Sequence, residues 1–169
     1  MADPVLQLED LTVCFHLKRG QLTAVDGVTL TVHRGETFGL VGESGSGKTV
    51  TARSVMRLIP IPPGEIGRGR ILFEGENVLQ KTDQQMRQLR GQKIAMVFQE
   101  PMSALNPVFT VGSQIADALR TKLGMSKKEA KARVLELMSL VGIPSPASRC
   151  DNYVHEFSGG MRQDRKSVV

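Results

Sequence analysis

The chain has 169 residues, 40% of them apolar and 4% aromatic, with no tryptophan; that is enough for a globular domain with an aliphatic core and excludes a disordered or collagen-like chain. The net charge is +5, but lysines and arginines are scattered among acids, and the densest run (Lys127, Lys128, Lys131, Arg133) follows a helix pattern without the interleaved aromatics of single-strand nucleic-acid binders. Two distant cysteines, Cys14 and Cys150, make neither a metal spacing nor a disulfide framework, and no apolar run approaches the ~20 residues that span a bilayer.

The N-terminus, MADPVLQLED, lacks a basic region followed by an apolar one, so no signal peptide is expected. From Val5 to Leu17 apolar residues recur at Val5, Leu6, Leu8, Leu11, Val13 and Phe15, a strand pattern ending in a turn at Lys18-Arg19-Gly20. Leu22 to Val32 alternates again, which predicts an antiparallel hairpin. After a turn at Arg34-Gly35-Glu36, the run Phe38, Leu40, Val41 predicts a strand buried on both faces. A glycine-rich loop follows, then a helix to about Leu58, with Val50, Ser54, Met56 and Leu58 on its packed side. The breaker Pro60-Ile61-Pro62-Pro63-Gly64 comes next. A short strand is expected over Arg70–Phe73 with a turn at Glu74-Gly75, and a helix from Thr82-Asp83 through Leu89.

Lys93 to Phe98 (KIAMVF) is the second strongly apolar strand candidate; it delivers Gln99-Glu100-Pro101 at its C-terminal end, where open α/β sheets place ligands. Pro101 and Pro107 exclude a helix over 102–110. Helices are predicted over Val111–Lys122, with Ile115, Ala116 and Leu119 on one face, and over Ser126–Val141. Ser126 and Glu129 form a capping box for the second, and Ala130, Val134, Leu137, Met138 and Val141 its apolar stripe. Gly142, Pro144 and Pro146 end that stretch. Phe157-Ser158-Gly159-Gly160-Met161 reads as a turn entering a helix.

The chemistry concentrates in Gly42-Glu43-Ser44-Gly45-Ser46-Gly47-Lys48-Thr49, which fits the phosphate-binding P-loop at every fixed position. Gly42, Gly45 and Gly47 let the backbone turn, partly at positive φ, and bring amide N–H groups directly to a phosphate. The helix from Gly47 adds unpaired N-terminal donors and the positive end of its dipole. Lys48 supplies a point charge for the β- and γ-phosphates, and the Thr49 hydroxyl a ligand for Mg²⁺ travelling with ATP. A plain Gly/Ser turn is the bland alternative. Gln99 could be a simple strand terminus, and Ser158-Gly159-Gly160 a helix N-cap with two flexible residues.

In this order, GESGSGKT, VFQEP and FSGGMRQ resemble the Walker A, Q-loop and signature motifs of ATP-binding cassette (ABC) ATPases. The longer strings TAVDGVTLTVHRGETFGLVGESGSGKT, QLRGQKIAMVFQEPMSALNPVFTVGSQI and HEFSGGMRQ resemble the ATPase subunits of bacterial peptide and nickel importers, over Val5 to Gln163. The resemblance implies an incomplete α/β P-loop NTPase domain with an antiparallel β subdomain and a helical subdomain. Its β and P-loop core would span about 1–99 and its helical signature part about 100–163. By the same resemblance Phe15 would stack on adenine, the alternative being a core Phe on an edge strand. Gln99 would reach Mg²⁺ and the attacking water. Ser158, Gly159, Gly160 and Met161 would meet ATP held by a second ATPase subunit in a head-to-tail dimer.

The resemblance further implies coupling of ATP binding and hydrolysis to uptake of peptides or a related solute. The partners would be two transmembrane permease subunits, met by the Gln99–Leu123 region and the helical segment after it, and, indirectly, an extracytoplasmic solute-binding protein. The place would be the cytoplasmic face of the plasma (inner) membrane. A non-transport ABC ATPase acting on nucleic acid or ribosomes is the rival; it would want a coiled-coil insertion or basic arms, which the sequence lacks. The family's Walker B strand, with the catalytic Glu, and its switch His would follow the signature. His16, His33 and His155 all precede it, so no catalytic residue is expected here and the chain as written is expected not to turn over. Residues 164–169, Asp-Arg-Lys-Ser-Val-Val, do not continue the family helix. The codons GATCGGAAGAGCGTCGTG would encode them and resemble a sequencing adapter, so a non-native tail, or else an inert fragment, is expected.

Overall fold

The computed structural model describes residues 3–99 and 105–157. Ser158, Gly159, Gly160, Met161 and the 164–169 tail lie outside them. The chain divides into two compact units, residues 1–87 and 88–169.

The first unit is built on an antiparallel sheet of order β2-β1-β3-β4. Its strands are β1 (Pro4–Leu17), β2 (Gly20–His33), β3 (Gly64–Phe73) and β4 (Glu76–Asn77). The expected hairpin is β1–β2, but the strand expected over Arg70–Phe73 begins six residues earlier, at Gly64, and pairs along β1 as far as Phe15↔Gly64. β1 is therefore an interior strand, and Phe15 does not lie on an edge. Leu8, Leu11, Val13, Val25, Ile71, Val78 and Met86 are buried in this unit.

Buried residues on β1 change parity, from Leu8 to Leu11 and Val13. The cause is a bulge. Leu8 pairs with Leu30 and Leu11 with Val28, so three steps on β1 match two on β2. Asp10 takes up the extra residue at φ 53°. Its N–H donates to Thr29 Oγ1 (3.0 Å), and its carboxylate receives Arg68 through Nη2 (2.9 Å) and Nε (2.8 Å). Without that inserted residue, Leu8 and Leu11 would point to opposite faces.

The helix after the glycine-rich loop, α1 (Lys48–Val55), is shorter than the sequence suggests. Met56 is its C-cap and Arg57 takes φ 50°, so the chain leaves the helix before Leu58. Thr51, Ser54 and Val55 are its buried residues. Thr51 Oγ1 and Ser54 Oγ donate to the carbonyls of Gly47 (3.0 Å) and Val50 (2.8 Å), which is how buried hydroxyls are satisfied inside a helix. At the start of α2 (Asp83–Leu89), Gln85 N donates to Thr82 Oγ1 (3.3 Å) and Thr82 N to Gln85 Oε1 (2.8 Å).

Neither of the two strands expected from apolar runs forms. Residues 37–41 form no strand, and Phe38 is 44%, Leu40 45% and Val41 90% exposed. Lys93–Phe98 makes only an isolated bridge, Arg90↔Ile94, with Val97 56% exposed. A strand buried on both faces needs a paired neighbour and cover on each face. Among the described residues, no strand pairs with either segment.

The second unit is helical: α3 (Val111–Leu123), α4 (Lys127–Leu140) and α5 (Pro146–Arg149). Its core gathers Val111, Val134, Met138, Ile143, Cys150, Val154 and Phe157, with Ile115, Ala116 and Leu119 packed against it as expected from their helical spacing. The capping box is present: Glu129 N donates to Ser126 Oγ (3.3 Å), and Ser126 N to Glu129 Oε2 (2.8 Å). Those bonds, led by the Ser126 side chain, hold the Glu129 carboxyl below the ordinary glutamate range.

Two predictions follow from these features. An exposed apolar, unpaired segment is a template for intermolecular pairing, so Val41→Lys should raise the monomer fraction of the chain in light scattering at equal concentration; unchanged association would place the sticky surface elsewhere. The Glu129 carboxyl is depressed in the folded state, so its contribution to α4 is present above the unfolded value of about 4.3 and is lost as pH falls through the folded value. The protection factors of the first-turn amides of α4, with the intrinsic pH dependence of exchange divided out, should therefore fall on acidification, and Ser126→Ala should flatten that dependence.

Candidate functional site

The site grows from the contact between a strand and a loop. On β2, Thr23 pairs with Cys14 and Val25 with Val13, so Ala24 is an extra residue bulged out of the ladder. Its carbonyl faces the start of α1: a Cβ on Gly47 would lie 2.4 Å from Ala24 O and 3.4 Å from Val25 Cγ2. Gly47 is the N-cap of α1 at φ 86°, and no side chain caps it. The first-turn N–H groups of α1 have no intrahelical acceptor, and they stand at the positive end of the helix dipole.

Lys48 folds back over the loop. Its Nζ donates to Gly42 O (2.7 Å), Glu43 O (2.6 Å) and Ser46 Oγ (3.2 Å). Ser46 N donates to Glu43 O at 3.2 Å, which closes the turn Glu43-Ser44-Gly45-Ser46. A Cβ on Gly42 would sit 2.6 Å from Ser46 Oγ, so a side chain there would turn that hydroxyl out of its place beside Lys48. Thr49 is exposed, whereas Thr51 and Ser54 point inward and spend their hydroxyls on backbone carbonyls. Thr49 thus presents the hydroxyl of α1 at the open end of the helix. Gly42 through Thr49 therefore form a nest of glycine backbone, ammonium and helix N-terminus, and these donors fit a polyphosphate.

Phe15 belongs to the same unit. It is only partly buried, and on β1 it pairs with Leu22 on one side and Gly64 on the other. Two positions beyond Leu22 on β2 is Ala24, the residue that meets Gly47. One short stretch of β2, Leu22 to Ala24, thus meets both Phe15 and the start of α1.

Gln99 lies in the second unit and is exposed, as is the 97–99 stretch leading to it. Sequence reasoning missed two organisers in that unit. The first is Gln114: Asn106 N donates to its Oε1 (2.9 Å), and its Nε2 donates to Asn106 O (3.0 Å) and Phe109 O (3.0 Å). Together with Val108 N donating to Asn106 Oδ1 (3.1 Å), this fixes the loop that presents Val108 (70% exposed) and Phe109 (55%). Nothing in the sequence marks this glutamine apart from any other polar helical residue.

The second organiser is Gly112. Val111 N donates to Asn152 O (3.0 Å) and Gly112 N to Cys150 O (2.8 Å), so the start of α3 grips the segment ahead of Phe157. A Cβ on Gly112 would lie 2.6 Å from Cys150 O and 2.8 Å from Cys150 Cβ. Phe157, the first residue of the FSGGM string, is 1% exposed and packs in the core under the Arg149 guanidinium, 5.7 Å from its ring centroid. Burial also pushes the Cys150 thiol up, so it is a neutral packing group. His155 stacks on Tyr153 at 5.8 Å, in line with a surface or packing role.

Between α3, the start of α4 and Cys150-Asp151 lies an open groove of about 590 Å³. Phe109, Ala116 and Val134 line it beside Arg120, Lys127, Lys131, Asp117 and Asp151.

The nest yields a mutational prediction. Gly45 and Gly47 both have positive φ, so alanine at either costs about 1–2 kcal/mol of conformational strain. At Gly47 the methyl also meets Ala24 O, while at Gly45 it meets nothing within 4 Å. Gly47→Ala should therefore destabilise the chain by about 1–3 kcal/mol more than Gly45→Ala, read from denaturant midpoints; equal losses would refute the contact.

The ABC transporter family profile matches residues 25–167. The oligopeptide transport ATP-binding protein OppD of Bacillus subtilis is 47% identical over 159 residues, 94% of this chain and 44% of that protein. The dipeptide transport ATP-binding protein DppD of the same organism is 48% identical over 161 residues, 95% of this chain and 48% of that protein. The chain thus spans about half the length of the curated relatives it matches. Among solved structures, the dimeric ABC transporter cassette MJ0796 matches with a TM-score of 0.80 at 23% identity, covering 95% of this chain and 66% of that one. Its post-hydrolysis form, bound to ADP and Pi, gives 0.81. Profile, identity and fold agree: this chain belongs to the ABC transporter family and holds part of an ATP-binding cassette.

Proposed function

We propose that the chain is the nucleotide-binding part of the ATPase subunit of an importer for peptides or a related solute. The observation that carries the reading is the phosphate nest: the Lys48 ammonium lies on the Gly42–Ser46 loop, which enters the uncapped start of α1. The nearly 50% identity to OppD and DppD supports the peptide class.

In this reading ATP is bound with its triphosphate in the nest and its base on Phe15. Lys48 leaves its contacts with Gly42 O and Glu43 O in part, and places its charge on the β- and γ-phosphate oxygens. First-turn amides of α1 meet the same oxygens in a site where no side chain competes for them. Mg²⁺ would be held by the Thr49 hydroxyl, a hard oxygen ligand, and by its motif Gln99 would offer a second; the ion would supply positive charge to the phosphates. Ser158, Gly159, Gly160 and Met161 serve the ATP of a second subunit in a head-to-tail pair, as a hydroxyl and amides facing an anion.

The permease side falls to the second unit. Val108 and Phe109, held out by Gln114, stand beside the groove between α3 and α4, where apolar walls are rimmed by charges of both signs. An amphipathic cytoplasmic segment of a permease fits such a surface. Among the described residues no helix is long and apolar enough to cross a membrane; in this reading the permease partner holds the chain at the inner face of the plasma membrane. A solute-binding protein on the far side completes the proposed system. Action on nucleic acid or ribosomes is not favoured, because the basic residues of α4 sit next to Glu129 and Glu136, with Arg133 Nη1 2.6 Å from Glu136 Oε1.

The test is calorimetric titration of the chain with Mg·ATP. Lys48→Ala should weaken binding by about tenfold or more, the equivalent of roughly 1.4 kcal/mol or above for a lost charge-assisted contact. Equal affinity in the two chains would remove Lys48 from the site and the phosphate reading with it.

A further inference from the structure

Gly64 is a buried glycine without a backbone reason to be one. It is not among the residues of positive φ, so its conformation admits a side chain. Space excludes it. A Cβ there would meet Ile59 Cγ2 at 2.4 Å, Pro60 O at 2.9 Å and Phe15 Cε1 at 3.2 Å. The first two contacts belong to the proline-rich segment that enters β3. Gly64 N donates to Pro60 O (2.9 Å) and His16 N to Pro63 O (2.8 Å), so this segment is tied to β1 beside Phe15. The third contact is the ring itself.

Phe15 and Gly64 are direct register partners, so they share a face of the sheet. Phe15's partner on the other strand, Leu22, is 53% exposed. The ring therefore has an open side toward β2 and a floor toward β3. An aromatic side chain here has two torsions, and an open neighbour leaves it free to tilt unless something fixes its edge. The bare backbone of Gly64 lets that edge settle against β3; a methyl in the same place would lift it.

We propose that Gly64 is a positioning residue for the nucleotide base: its missing side chain sets the tilt at which Phe15 offers its face to the purine. The inference rests on the reading of Phe15 as the base-stacking residue. It assigns a role to a segment, Ile59–Gly64, that the phosphate chemistry leaves unused, and it predicts that base and phosphate contributions to binding are separable.

The experiment titrates the 169-residue chain with Mg·ATP and, separately, with Mg·tripolyphosphate, which has the phosphates and no base. Base–aromatic stacking is worth about 1–3 kcal/mol, or roughly fivefold to more than a hundredfold in affinity. Gly64→Ala should weaken Mg·ATP by about fivefold and leave Mg·tripolyphosphate within about twofold. In a Phe15→Leu background, Gly64→Ala should add no further loss for ATP. Because the Ile59 contact could unfold the single variant, the Ile59→Ala, Gly64→Ala pair is made as well; it removes the nearest clash, keeps the contact with Phe15, and should show the same selective loss relative to Ile59→Ala. Equal losses for ATP and tripolyphosphate would overturn the proposal, as would a loss that persists without Phe15. If Phe15→Leu weakens ATP while both Gly64→Ala chains bind normally, the Gly64 proposal fails alone. If Phe15→Leu leaves ATP binding unchanged, base stacking at Phe15 fails and takes this proposal with it. If the unsubstituted chain binds neither ligand, the phosphate site itself is refuted.

Discussion

The contact between the Ala24 carbonyl and Gly47 is the constraint on which the proposed site depends. One backbone atom from a bulged strand fills the space a side chain would need, at 2.4 Å from an added Cβ. The contact permits only glycine, and glycine at φ 86° is what starts α1 without a capping side chain. An uncapped N-terminus leaves its donors for an anion. The bulge thus brings the sheet bearing Phe15 against the loop bearing Lys48, and a register irregularity becomes the means by which base and phosphate sites share one frame.

A second constraint shapes the sheet. The β1 bulge at Asp10 would cost an unpaired residue in left-handed conformation. Thr29 and Arg68 offset that by bonding its amide and both carboxylate oxygens. The result puts Leu8, Leu11 and Val13 on the same buried face despite their odd spacing. The sequence carries the signal, because its apolar positions step from even to odd numbers between Leu8 and Leu11. An alternation read without regard to parity yields the strand and overlooks the bulge.

Local chemistry was legible and long-range pairing was not. The Ser126–Glu129 capping box, the Ile115–Leu119 face and the P-loop glycines are defined within a few residues, and each is found where local rules put it. Phe38–Val41 and Lys93–Phe98 have the composition of buried strands, yet a strand is a relation between segments, and among the described residues no strand pairs with them. β3 fails in the opposite sense: Gly64-Glu65-Ile66-Gly67-Arg68-Gly69 is too glycine-rich and polar to read as a strand, and it becomes one because β1 offers a ladder along its length. Gly64 and Gly112 were equally invisible: Gly112 lacks room against the distant Cys150 backbone, and Gly64 against Ile59, Pro60 and the Phe15 ring.

The second unit applies the same device to a different end. Gly112 brings α3 against Cys150, Val111 bonds Asn152, and five residues after Asn152 Phe157 closes the core. The same helix, through Gln114, holds the Val108–Phe109 loop. One helix therefore braces both the exposed apolar loop proposed to meet a permease and the segment leading into the FSGGM string. A displacement of α3 cannot move one without straining hydrogen bonds to the other. Coupling of this kind needs no dedicated relay of side chains; it follows from a short rigid element hydrogen-bonded at its N-terminus to two segments that serve different partners.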